Sequence, residues 1–286
     1  MADLTSIDNS QLLAAPPILS QGQEASCVAF ASTYYAMSHE HCLVRGCDNK
    51  NSSATRFSPR WTYNMINGGV DNGSSLTNAF ALMAKHGAAS LPELPYVAGQ
   101  YRPWDLNSVH WRSAVGGQLN SPQTVSGINS DTGMQTAKQL LANGHVLSFG
   151  TYILSWQYTT VKSEPNTTSP YAGQKVAYVQ SGSNGGHAMV FVGYDDTLWV
   201  DINNNGVVDT GERGAFKVAN SWGTSWGNAG FMWLAYDALR STTAVPGGPT
   251  TKVAALQNSH VYLQTAKSSY TPKLLARVTV RHALRS

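Results

Sequence analysis

Residues Val28 to His41 contain no glycine or proline and are apolar and rich in alanine, and this run constrains the chain most. It reads as one buried helix. Cys27 stands directly before it, so the thiol lies at or near the helix N-terminus. Free N–H groups and a partial positive charge at that end favour a thiolate over a thiol. Gln21 precedes the thiol by six residues, with Gly22 following it to let the backbone turn. Its amide is positioned to donate to an oxyanion forming beside the sulfur. A cysteine in an apolar helix is more often a small inert hydrophobe, so this stretch alone leaves both readings open.

The chain of 286 residues can hold one large domain or two modest ones around a substantial core. Charged residues make up 12% and the net charge is +3, with no basic run. Nothing therefore points to nucleic acid or a membrane surface, and no apolar stretch approaches the length of a membrane span. The first residues, Met1 to Ser6, lack the basic-then-apolar pattern of a signal peptide. Of the three cysteines, Cys42 and Cys47 flank a short polar loop. A disulfide between them would leave Cys27 as a free thiol in a secreted or periplasmic protein; three reduced thiols in a cytoplasmic protein is the alternative.

The first half reads as helical. Ser58 and Pro59 suit the cap and first position of a helix carrying Trp61, Asn64 and Met65. The loop Gly68–Gly73 is rich in glycine, and a helix from Ser74 or Ser75 to Gly87 follows, with Leu76, Phe80, Met83 and Ala84 on one face. Pro92 and Pro95 pin an extended segment. The second half holds short β-rich runs: Val146–Ile153, Ala188–Tyr194, Leu198–Val200, Ala215–Val218 and Gly230–Leu234. The expected fold class is α+β, a domain over residues 1–241 with a helical lobe at 20–115, a β lobe at 116–241 and a cleft between them. Residues 242–286 read as a Pro/Gly/Thr-rich linker and a C-terminal extension, with strand-like segments at His260–Leu263 and Leu275–Arg281.

A cysteine nucleophile needs a base, and the base needs an orienting group. His187 follows two glycines and opens a buried-looking strand, so its ring can face another element; a satisfied histidine at a strand end is the plain alternative. His110 and His145 have no comparable context. In Asn220-Ser221-Trp222-Gly223, the asparagine oxygen can accept from one imidazole nitrogen and Trp222 can shield that bond from water. The same residues would also make an aromatic-packed turn.

Together, Gln21-Gly22 with Ser26-Cys27-Val28-Ala29-Phe30, Gly186-His187-Ala188 before a strand ending Val192-Gly193-Tyr194, and Asn220-Ser221-Trp222-Gly223 with Trp226-Gly227 resemble the papain-like cysteine peptidases. The resemblance spans residues 16–238 and suggests a divergent bacterial branch. His187 and Asn220 lie 160 and 193 residues after Cys27, beyond the usual spacing of about 130–150. The resemblance implies a two-lobe fold, with the cysteine helix in one lobe and an antiparallel, barrel-like sheet in the other. It implies Cys27 as nucleophile, His187 as base and acid, Asn220 as its orienter, Gln21 and the Cys27 N–H as oxyanion donors, and Trp222 as cover. Protein or peptide substrates, an inhibitory propeptide or inhibitor protein as partner, a monomeric state and no catalytic cofactor go with it, although only a short stretch precedes Gln21. Substrate contacts are expected at Gly68, Gly69, Gly73 and Ser74, and at Phe149 and Gly186 from the β lobe. Two features depart from the family: Val28 stands where a tryptophan is usual, and Glu24 stands where a structural cysteine clamps the loop by a disulfide. A binding scaffold with weak chemistry, and a thiol acyltransferase or amidase, are the rival readings.

A second pattern lies between His187 and Asn220. Asp201, Asn203, Asn205, Asp209 and Glu212, with the carbonyl of Val207 and a glycine at Gly206, match the twelve-residue calcium loop. A structural Ca²⁺ is expected there, stiffening the hairpin that leads to Asn220; an Asn/Gly-rich turn without metal is the alternative.

Overall fold

Residues 27–45 form one continuous helix through the middle of the protein, with regular turns at Cys27–Ala29 and Ser38–Arg45. The computed structural model describes residues 4–269, together with 276, 278 and 279. Between its regular ends the helix is wound wider over Phe30–Met37, and the Ser38 N–H reaches back five residues to the Thr33 carbonyl. Hydroxyls compete for the carbonyls along this stretch: Ser32 Oγ donates to Val28 O at 2.7 Å and Ser38 Oγ to Thr33 O at 3.4 Å. Residues 28–40 are all buried. The helix stops at Gly46, and a Cys42–Cys47 disulfide closes the turn beyond, leaving Cys27 as the free thiol.

Helices Pro59–Ile66, Leu76–His86 and Ser108–Val115 surround one side of it. Trp61, Phe80 and Met83 pack with Phe30, Tyr34 and Met37 into a shared core. Ser75 caps the second of these helices by accepting from the Asn78 N–H. Ser58 sits at the cap position before Pro59 but makes no capping bond; a proline in the first turn leaves one fewer N–H to satisfy.

The other side of the helix meets a sheet of nine strands among the described residues. Its strands are β1 (Ser6–Asp8), β2 (Gln123–Val125), β3 (Leu147–Tyr152), β4 (Trp156–Thr160), β5 (Lys175–Gln180), β6 (Gly186–Trp199), β7 (Arg213–Ala219), β8 (Phe231–Ala235) and β9 (Val261–Leu263). They run in the order β2-β9-β3-β6-β7-β8-β5-β4, with β1 also on β6. The two strands expected at Ala188–Tyr194 and Leu198–Val200 are one long strand, β6, because pairing with β1 and β7 carries it through Asp195. Gly193 is where β1 crosses closest: a Cβ there would lie 2.2 Å from the Ile7 carbonyl oxygen. The sheet's own core is aromatic, with Phe191 4.5 Å from Phe149 and 4.4 Å from Phe216 between ring centroids. A helix at Asp131–Ala142, which the sequence reading missed, lays Met134, Ala137 and Leu141 on this core.

Residues 252–263 lie against the sheet. Lys252 and Asp237 form a fully buried ion pair at 2.8 Å, Val253 pairs with Gln180, Leu256 with Thr151, and β9 inserts between β2 and β3. The strand-like segment at His260–Leu263 corresponds to β9; the one at 275–281 falls mostly outside the described residues. Leu256 is 3% exposed within the β core. Leu256→Ala should therefore cost about 2–5 kcal/mol in urea unfolding; a loss below about 1 kcal/mol would mean this segment is not part of the folded body.

Candidate active site

Antiparallel pairing of β6 with β7 sets Val190 opposite Ala219, so the start of β6 and the end of β7 lie side by side. His187 is the second residue of β6 and Asn220 the first after β7. His187 Nε2 meets Asn220 Oδ1 at 2.7 Å. The same oxygen accepts the Ser221 N–H at 2.7 Å, which fixes the amide with its oxygen toward the ring. An amide oxygen only accepts, so Nε2 carries the proton and Nδ1 is left with a lone pair. The Trp222 ring lies 4.7 Å from the His187 ring at 41°, and the pair is dry, with His187 8% and Asn220 1% exposed.

Cys27 opens its helix, and the first turn of that helix packs against β6. Burial pushes the Cys27 thiol up, opposed by the N–H groups of Ala188, Val28 and Cys27 itself. The Ala188 contact puts the sulfur against the residue next to His187. Burial also holds the His187 ring down at about 4, with the Asn220 hydrogen bond opposing. Gln21 is tied to the Asn220 turn: its N–H donates to Ser221 O at 2.8 Å, and Ser221 Oγ donates to Gln21 Oε1 at 2.6 Å. Its Nε2 donates one of its two N–H groups to Glu24 O at 2.7 Å.

The papain family cysteine protease model matches residues 5–244. The chain belongs to the papain family of cysteine proteases. Bromelain from Ananas comosus, solved in complex with the E64 inhibitor, superposes with a TM-score of 0.61 at 17% identity, covering 92% of this chain and 100% of that one. Procathepsin L2 from the Tenebrio molitor larval midgut superposes with a TM-score of 0.58 at 20% identity, covering 93% of this chain and 69% of that one. No curated protein matches the chain in sequence. At these identities the structural likeness carries the fold, a two-lobe papain-like α+β architecture.

Within this papain-like frame the structure brings Cys27, His187, Asn220, Gln21 and Trp222 together at the junction of helix and sheet. Gly68, Gly69 and Gly73 all have positive φ and nothing within 4 Å of where a Cβ would stand, so they expose a bare backbone edge. Asp71 links that loop to the cysteine loop, accepting the Ala25 N–H at 2.8 Å. Ser74 Oγ is buried without a partner, and Gly186 is exposed at the start of β6. Phe149 does not join this group: it is fully buried against Phe191, because its side of β3 faces the sheet's aromatic core. The ties that Ser221 and Asp71 make to the cysteine loop are not legible in the sequence; Ser221 sits beside Asn220, whereas nothing local marks Asp71.

The loop 201–212 joins the far ends of β6 and β7, so it does not adjoin Asn220. The seven residues of β7 separate them by about 24 Å. Asp201 accepts the N–H groups of Asn205 and Gly206 at 3.0 and 3.2 Å. The Asn203 and Asn205 amides donate to Asp209 Oδ2 at 2.6 and 2.7 Å. The buried Glu212 carboxylate accepts from Ile202 N–H at 2.7 Å and Trp199 Nε1 at 2.9 Å. Among the described residues no group of three or more His, Cys, Asp or Glu is arranged to hold a metal ion.

The His187 geometry makes a measurable statement. Its folded pKa lies below the unfolded value, so the neutral ring's contribution is fully present above about 6.5 and is lost as pH falls toward about 4. In Cys27→Ala, NMR should find the His187 ring neutral down to about pH 4, and unfolding free energy should drop by about 3 kcal/mol over that window. A ring titrating near 6.5 would contradict the burial.

Proposed function

We propose that the protein is a cysteine-type endopeptidase that cleaves peptide bonds through Cys27, His187 and Asn220. The observation that carries this reading is the dry His187–Asn220 hydrogen bond under Trp222, beside the helix end that bears the free thiol. Burial opposes a charge on either group alone. Moving the Cys27 proton to His187 Nδ1 creates both charges together, each beside its own support. The Ala188 N–H and the helix N-terminus favour the thiolate, and Asn220 Oδ1 favours the imidazolium.

The thiolate then attacks the substrate carbonyl carbon. The oxyanion is received by Gln21 Nε2 and the Cys27 N–H. His187 returns its proton to the departing amine, and an acyl-enzyme remains on Cys27. Water, deprotonated by His187, cleaves the thioester and restores the free thiol. The glycine edge at residues 68, 69 and 73 lets an extended peptide backbone lie close to the site, with Ser74 and Gly186 at its border.

The Cys42–Cys47 disulfide supports action in an oxidising, extracellular or periplasmic setting. Among the described residues no helix is long and apolar enough to cross a membrane. Proforms among the structural neighbours support an inhibitory propeptide or inhibitor protein as partner. We take the working form to be a monomer.

Cys27→Ala should abolish turnover of a fluorogenic peptide while keeping the circular dichroism spectrum, and E-64 should label wild-type Cys27 stoichiometrically. Wild-type turnover in that variant would refute the assignment. Labelling without peptide hydrolysis would favour a binding scaffold, and transfer to added amines in place of water an acyltransferase.

We also propose a structural Ca²⁺ at loop 201–212, on the strength of its full oxygen-donor pattern, with Asp201, Asn203, Asn205, Asp209, Glu212 and the Val207 carbonyl as ligands. Binding would require the Asn203 and Asn205 amides to turn their oxygens inward from Asp209. Excess EGTA should then lower the melting temperature, and added Ca²⁺ should restore it; an unchanged melting temperature excludes the site.

A further inference from the structure

The loop over residues 21–26 carries Gln21 and delivers Cys27, yet it has no regular hydrogen bonding of its own. The family's usual disulfide, three residues before the nucleophile, is replaced here by Glu24. What stands in its place is a set of polar contacts from two other segments. Glu24 is 3% exposed, and its Oε2 accepts the Gly99 N–H at 2.8 Å. Its Oε1 is buried without a partner. One residue on, the Ala25 N–H donates to Asp71 Oδ1 at 2.8 Å. Tyr63 OH donates to that same Asp71 oxygen at 2.5 Å, anchoring it to helix Pro59–Ile66. Tyr96 OH donates to Gln21 O at 2.7 Å and meets Ser26 Oγ at 2.9 Å.

We propose that Glu24 and Asp71 are positioning residues, a hydrogen-bonded clamp in place of a covalent one, which holds Gln21 and Cys27 in register. The proposal rests on the peptidase reading above and goes beyond it, because it assigns the active-site loop's geometry to two carboxyl groups outside the reacting set. Asp71 is exposed to solvent, so its bond to Ala25 serves the loop and fills no core. The clamp contains no sulfur, so thiol reductants cannot open it.

Burial raises the Glu24 pKa most, and the charge of Asp71 from the glycine-rich loop adds to this, while the Gly99 N–H, Tyr96 and, from helix Pro59–Ile66, Arg60 act in the opposite direction. Because Glu24 enters the clamp as an acceptor from the Gly99 N–H, an amide oxygen at the same place can take over its role.

The test compares Glu24→Gln, Glu24→Ala, Asp71→Asn and Asp71→Ala with wild type and Cys27→Ala, reading kcat and KM for a fluorogenic peptide across pH, with melting temperature alongside. Glu24→Ala and Asp71→Ala should lose kcat about tenfold or more, since small misplacements of reacting groups are costly. In Glu24→Ala, KM should stay within about twofold, because residue 24 lies outside the glycine edge that Asp71 shares. Glu24→Gln and Asp71→Asn, which keep an accepting oxygen, should recover most of kcat. Full kcat in Asp71→Ala and Glu24→Ala overturns the proposal, as does a loss that the conservative variants fail to rescue. Turnover surviving in Cys27→Ala would instead overturn the peptidase reading, so the two failures are told apart.

Discussion

The structure depends on the register between β6 and β7. Val190 opposite Ala219 brings the first residues of one strand beside the last of the other, although His187 and Asn220 are 33 residues apart. The strands are held by the aromatic stack of Phe149, Phe191 and Phe216 on one face and by the helix of residues 27–45 on the other. A slip of one residue would turn every side chain to the opposite face. It would move His187 away from the thiol and Phe191 out of the core together, so packing and site geometry are protected by the same constraint.

Around that register the site is assembled from irregular segments tied to one another by polar bonds. The turn after β7 supplies Asn220, Ser221 and Trp222, and Ser221 holds both the backbone and the side chain of Gln21. The cysteine loop that carries Gln21 and Cys27 is thereby linked to the turn that holds His187 through one serine. The opposite flank of the loop is held by Asp71, Tyr96 and Glu24. Hydrogen bonds of this kind are each worth about 1 kcal/mol net, yet leaving a buried partner unmade costs more, so the loop is positioned by their agreement.

The proposed site residues Cys27, Gln21, His187, Asn220 and Trp222 could be singled out from the sequence because each sits in a short motif. The long buried helix was legible from its unbroken apolar run. Phe149 was misjudged because a strand residue beside a cleft faces either the cleft or the core, and only the pairing of β3 with β6 decides which. The single strand β6 looked like two because Asp195, Asp196 and Thr197 are polar, yet tertiary pairing overrides that local signal. The twelve-residue loop matched a pattern of oxygen donors, but the pattern says nothing of its distance from Asn220 along β7.

The sequence by itself determined which residue types the proposed chemistry draws on, the order in which they occur, and the division into a helix-rich and a strand-rich half. Those depend on composition and spacing over a few residues. Only the tertiary structure decided that residues 253–263 return to complete the sheet, that Ser221 governs Gln21, and that Asp71 reaches the cysteine loop from 46 positions away. Such contacts form between segments far apart in the chain, and no local periodicity encodes which of many polar side chains will meet.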